Sequence, residues 1–109
     1  MSTVTTHVLD SSAGQPAAGV VVVLESCANG ERLGAGETDA DGRVTGLGPD
    51  RLDPGDYQLR FGTGGYFAGR QQATFYPEVV VAFTVADPDQ HYHVPLLLSP
   101  YSFSTYRGS

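Results

Sequence analysis

The chain has 109 residues, 40% hydrophobic and 17% charged, with a formal net charge of −6 from 12 acids against 6 bases. That length holds one compact domain, 1–109, rather than two, and the acidic balance argues against a protein that grips a phosphate backbone, so no nucleic-acid partner is expected. All six bases are arginine, which excludes Schiff-base lysine chemistry, pyridoxal anchoring and a P-loop lysine.

Turn residues punctuate the chain every eight to twelve positions, the spacing of an all-β protein. Residues 3–9 alternate: Val4, Thr6 and Val8 share one face, and Thr5, His7 and Leu9 the other. Residues 11–16 form a turn. Residues 20–24 are four valines and a leucine, read as a strand buried on both faces or nearly so. Asn29-Gly30 signals a hairpin into residues 31–38. Asp39-Ala40-Asp41-Gly42 is a tight turn, and a strand is expected over residues 43–45. After Asp53-Pro54-Gly55-Asp56, Tyr57, Leu59 and Phe61 point inward and Gln58 and Arg60 outward. Residues 62–72 are the one helical stretch, kept short by glycines. Residues 79–86 are strongly β-branched, residues 92–98 form a strand ended by Ser99-Pro100, and residues 101–107 read as a last strand. About eight strands and one short helix predict two antiparallel sheets packed face to face.

The single cysteine, Cys27, makes no internal disulfide and reads as a small hydrophobe at a strand end. The first ten residues show neither a basic n-region nor an apolar h-region, and the longest apolar run is far short of the ~20 residues that span a bilayer. No membrane contact is expected, and the absence of address signals points to the cytoplasm.

The three histidines carry the chemistry. His91 and His93 are two apart and share a face with Pro95 and Leu97, opposite the core face of Tyr92, Val94, Leu96 and Leu98. His7 lies beside Leu9 on the non-core face of the first strand. Two strands therefore each put a histidine and a leucine outward, which suggests a second buried surface such as a subunit interface. Ordinary solvent-facing histidines are the plainer alternative. A three-histidine zinc site from His7, His91 and His93 is a third possibility, of weakly specific spacing and with no carboxylate beside it. No Gly-x-Ser-x-Gly elbow, complete dinucleotide motif or calcium loop is present.

Several stretches resemble one family from end to end. They are Thr5-Thr6-His7-Val8-Leu9-Asp10 with Gly14-Gln15-Pro16-Ala17, Asp39-Ala40-Asp41-Gly42-Arg43, Phe75-Tyr76-Pro77-Glu78-Val79, residues 91–100 and residues 104–109. Together they resemble the 5-hydroxyisourate hydrolases, the transthyretin-related enzymes of urate breakdown. The closing Tyr106-Arg107-Gly108-Ser109 is the feature that separates those hydrolases from transthyretin, the hormone carrier of the same fold.

The resemblance implies a transthyretin-like β-sandwich assembled as a homotetramer, a dimer of dimers, with active sites between the dimers. It implies His7, Arg43 and His93 as catalytic residues and Tyr106, Arg107, Gly108 and Ser109 as substrate-binding residues. It implies no cofactor and no metal. The reaction it implies is hydrolysis of the cyclic amide of 5-hydroxyisourate to 2-oxo-4-hydroxy-4-carboxy-5-ureidoimidazoline. Two readings compete with it: a non-catalytic transthyretin-like protein that binds a small ligand, and an immunoglobulin-like structural module.

Overall fold

The structure, a computed structural model, describes residues 3–109; the first two residues of the expected 1–109 domain lie outside the described residues. It contains β1 (Val4–Asp10), β2 (Gln15–Pro16), β3 (Val21–Ser26), β4 (Arg32–Glu37), β5 (Gly55–Phe61), α1 (Thr63–Gly69), β6 (Val79–Val85), β7 (Tyr92–Ser99) and β8 (Ser102–Thr105). They form two four-stranded sheets, in the orders β2-β1-β7-β8 and β4-β3-β5-β6. The all-β sandwich with one short helix is therefore as expected.

One pairing departs from the antiparallel expectation. β1 and β7 run parallel, with Val4 opposite Tyr92 and Asp10 opposite Leu98. Side-chain alternation has period two whichever way a neighbour runs, so it carries no information on strand direction. Parallel neighbours need a long crossover, and here that crossover contains the whole second sheet.

The strands with clean alternation behave as read. On β1, Val4, Thr6 and Val8 are buried, while Thr5, His7 and Leu9 are half-buried on the outer face. The buried Thr6 hydroxyl donates to Val94 O at 2.6 Å, so it carries no desolvation penalty. Tyr92, Val94, Leu96 and Leu98 of β7 meet Leu59 and Phe61 of β5 and Val22 and Leu24 of β3 in one core, with Tyr66 and Phe67 of α1 packed into it. Each fully buried Leu or Phe there stabilises the fold by about 1.5–3 kcal/mol.

Residues 20–24 are covered on both faces except at Val21, which is 51% exposed. Valine favours a strand on either face, so its run does not reveal which side is covered. Three expectations need correction. Residues 43–45 form no strand, only an isolated bridge from Arg43 to His7. Cys27 is exposed rather than packed. The last strand is the shorter β8, exposed along its length.

The end of β1 is tied to the helix through Asp10, whose side chain is fully buried. Its carboxylate accepts from Ser12 N (3.0 Å), Ser12 Oγ (2.6 Å), Ala13 N (3.0 Å) and Tyr66 Oη (2.6 Å). Burial pushes this carboxyl up, but those donors and the Arg70 guanidinium outweigh it and hold it below the usual carboxylate range. Burial and the bond to Asp10 in turn push the Tyr66 phenol up to about 12.

Candidate active site

The parallel register of β1 and β7 decides which outward side chains meet. Thr5 lies opposite His93, and His7 opposite Pro95. His7 and His93 are thus diagonal neighbours on one sheet face, with Cα atoms about 8 Å apart by strand spacing and rise. Both rings are half-buried.

Arg43 reaches this face through a glycine. Val8 N donates to Gly42 O at 2.8 Å, pressing the turn onto β1. Gly42 has φ +78°, and a Cβ there would lie 2.3 Å from Val8 O. Both the left-handed backbone and the close approach require glycine. The Asp39 carboxylate shapes the same turn by accepting from Asp41 N (2.9 Å) and Arg43 N (3.0 Å). Arg43 consequently bridges to His7.

His93 is the most constrained of the three. Its Nδ1 lies 2.8 Å from Thr5 Oγ1, and the same hydroxyl lies 2.7 Å from His91 Nε2. Burial, then the positive charge of Arg43, then the neighbouring His91 and His7 push the imidazole below its ordinary value. The shift favours the neutral ring, and Nε2 is the ring nitrogen that Thr5 does not engage.

The C-terminal tail docks on His93 from the other side. Gly108 N donates to His93 O at 2.9 Å. A Cβ on Gly108 would lie 2.5 Å from His93 Cδ2 and 3.2 Å from Pro95 Cγ, so the tail backbone lies directly against the imidazole. Thr105 Oγ1 donates to Pro95 O at 2.7 Å and anchors the approach.

The bridges pair His7 with Arg43 and His93 with Gly108 on this face. Arg107 stands apart: its guanidinium lies 4.6 Å from the Tyr92 ring centroid and donates to Gln90 Oε1 at 3.1 Å. Tyr106 and Arg107 line a cleft of about 320 Å³ with His93, Tyr92, Val94 and Phe83, between β6 and the β7–β8 edge. Arg43 opens onto a separate cleft shared with Thr5, Thr6 and Asp50. Ser109 is exposed. The three imidazoles do not form a metal cage; among the described residues no three His, Cys, Asp or Glu side chains are grouped to hold an ion. Among the described residues no helix is long and apolar enough to cross a membrane.

Sequence reasoning missed Thr5, which touches His93 on β7 and His91 just ahead of it. Its only signal was its place two residues before His7 on the same face, and that acquires meaning only with the parallel register.

The sequence model of the HIUase/Transthyretin family matches residues 4–108. A 5-hydroxyisourate hydrolase of Salmonella typhimurium is 51% identical over 106 residues, covering 94% of this chain and 78% of that protein. The structure of Klebsiella pneumoniae 5-hydroxyisourate hydrolase superposes with a TM-score of 0.89 at 38% identity, covering 100% of this chain and 94% of that one. Transthyretin from Sparus aurata superposes with the same TM-score of 0.89 at 27% identity, covering 99% of this chain and 97% of the other.

Proposed function

Because this chain belongs to the HIUase/Transthyretin family, we propose that it is a 5-hydroxyisourate hydrolase in which His7, Arg43 and His93 carry the reaction. The observation that supports this most is His93: a half-buried imidazole whose surroundings favour the neutral ring, with Arg43 and His7 around it. A hormone-carrying channel has no need of a tuned base beside a fixed cation.

The step is addition of water to a ring carbonyl, followed by loss of the ring nitrogen. His93 and His7 position the water, and one proton leaves it as the C–O bond forms; a general base contributes about 10²–10⁴-fold to such a step. Arg43 stays protonated and its planar fork stabilises the oxyanion on the tetrahedral carbon. The C–N bond then breaks, and the proton held by the histidine pair passes to the leaving nitrogen. The single product is 2-oxo-4-hydroxy-4-carboxy-5-ureidoimidazoline, whose new carboxylic acid gives up its own proton to solvent. Neither a metal nor a cofactor enters this scheme. Tyr106, Arg107, Gly108 and Ser109 are assigned to the substrate side, Gly108 by holding the His93 ring and Tyr106 by its flat ring in the adjoining cleft.

The proposed assembly is a homotetramer, a dimer of dimers, that closes the outer face over the substrate. The supporting features are the unpaired outer edges of β6 and β8 and the exposed Phe75, Tyr101, Phe103 and Tyr106. Sedimentation equilibrium at micromolar concentration gives four times the chain mass on this reading.

One feature favours a second reading, a ligand carrier: the cleft between β6 and β7 is mostly apolar, lined by Val81, Ala82, Phe83 and Val94. A single assay separates the two. 5-Hydroxyisourate is generated from urate by urate oxidase and its ultraviolet decay followed with and without the protein. The hydrolase reading expects decay well above the spontaneous rate and loss of that excess in His93→Ala; unaltered decay with saturable ligand binding would establish the carrier.

A further inference from the structure

The Thr5 hydroxyl sits between two imidazoles, 2.8 Å from His93 Nδ1 and 2.7 Å from His91 Nε2. A hydroxyl has one proton to donate. It cannot donate to both rings at once. We propose that Thr5 and His91 are positioning residues that set which nitrogen of His93 carries its proton: the hydroxyl could accept from both rings, but its own proton has no other acceptor among the described residues, which favours opposite roles for the two facing nitrogens. This rests on the reading of His93 as the base.

When His91 Nε2 is bare, Thr5 donates to it and accepts from His93 Nδ1–H. The neutral His93 then has its lone pair on Nε2, the nitrogen free to take a proton from water. When His91 Nε2 carries a proton, it donates to Thr5, and Thr5 turns its hydrogen to His93 Nδ1. That bond favours the neutral His93 with its proton on Nε2, which makes that nitrogen a donor and removes the base without charging the ring. A second nitrogen's hydrogen bond fixes an imidazole's tautomer in this way elsewhere in protein chemistry.

Among the described residues, Thr5 is the one hydrogen-bond partner of His93 Nδ1. Thr5 is held opposite His93 by the parallel ladder, and Gly108 closes the ring's carbon edge at Cδ2. The charged and titratable groups about the ring are His7 on β1, Arg43 in the turn bridged to it and His91 ahead of β7. On the tail side Arg107 is turned onto Tyr92 and Tyr106 lines the adjoining cleft. Of these only His91 shares a hydrogen-bond partner with His93.

The test is nitrogen-15 NMR of the histidine side chains across a pH titration of the intact protein, which needs no substrate. In the wild-type chain, His93 is expected as the Nδ1–H tautomer while His91 Nε2 is bare. It should change to Nε2–H as that nitrogen gains its proton. Thr5→Ser keeps the change and keeps kcat within about twofold. Thr5→Val preserves the β-branched shape on the strand but uncouples the rings, and lowers kcat about 10- to 100-fold, part of what a general base supplies, with KM unchanged. A wild-type His93 tautomer that ignores the state of His91 overturns the proposal, whether or not Thr5→Val folds. So does a Thr5→Val protein that loses turnover with the same tautomer response as wild type. If wild-type protein shows no turnover at all, the hydrolase reading fails instead, and the tautomer measurement still decides the coupling.

Discussion

Replacing Gly108 by alanine adds one methyl group at the point where the tail meets the proposed base. That Cβ would lie 2.5 Å from His93 Cδ2 and 3.2 Å from His93 Cγ. Carbon atoms in contact prefer about 3.5–4.0 Å, so one side must retreat by roughly 1 Å. If the tail retreats, the 2.9 Å bond from Gly108 N to His93 O stretches, beyond any useful hydrogen-bond length. Overpacking of this kind costs about 1–3 kcal/mol, or about 5- to 150-fold in the docked population. If the imidazole retreats instead, a misplacement of about 1 Å costs on the order of 10² in rate. Both routes predict a loss of 10- to 100-fold, by order of magnitude, in kcat/KM for 5-hydroxyisourate. The melting temperature should barely move, because the contact is at the surface end of β7 and not in the core. The assay is the ultraviolet decay of enzymatically generated 5-hydroxyisourate, with thermal unfolding run in parallel. Gly65→Ala is the control: its Cβ meets nothing within 4 Å, and in a helix the change should stabilise by about 0.5–1 kcal/mol with turnover unchanged. Wild-type kcat/KM in Gly108→Ala would refute the idea that the tail positions the base.

Three other outcomes are expected. Arg43→Gln removes a cation that disfavours the imidazolium, so His93 keeps its proton to higher pH; the acid limb of kcat/KM should shift upward, and loss of the oxyanion partner should lower kcat by about 10²–10³. The depressed His93 also means that the unfolded chain binds more protons just below its ordinary pKa. Stability therefore rises with pH through that window, and Arg43→Gln should flatten the rise in urea midpoints. Asp10→Asn should cost about 1.5–3 kcal/mol by urea unfolding, since a charged acceptor of buried hydrogen bonds is lost. Because the Asp10 carboxyl is held below its usual range, its contribution is present above the unfolded value and lost as pH falls through the folded one; the variant should lose less stability than wild type on acidification. Exhaustive chelation should leave turnover intact. Loss on chelation with recovery on adding zinc would instead assign His7, His91 and His93 as ligands.

Most of the architecture was legible because burial writes period two into a strand. Val4, Thr6 and Val8, then Tyr57, Leu59 and Phe61, then Tyr92, Val94, Leu96 and Leu98 announce their inner faces and so place His7 and His93 on an outer one. The valine run did not single out Val21 because an unbroken apolar stretch has no phase to lose. Cys27 was misread because packing, not residue type, decides whether a small thiol is covered.

Composition and motif thus determined a short-stranded sandwich, an outward histidine face and a tail of distinctive chemistry. Which groups touch was decided elsewhere. The parallel direction of β7 against β1 puts Thr5 against His93, and the reverse direction would have matched other pairs with the same inward and outward faces. Gly42 and Gly108 bring in Arg43 and the tail through close backbone approaches that a string of letters does not encode. Alternation along a strand is a local property of the chain, whereas direction and register are settled only when distant segments compete to bury the same core.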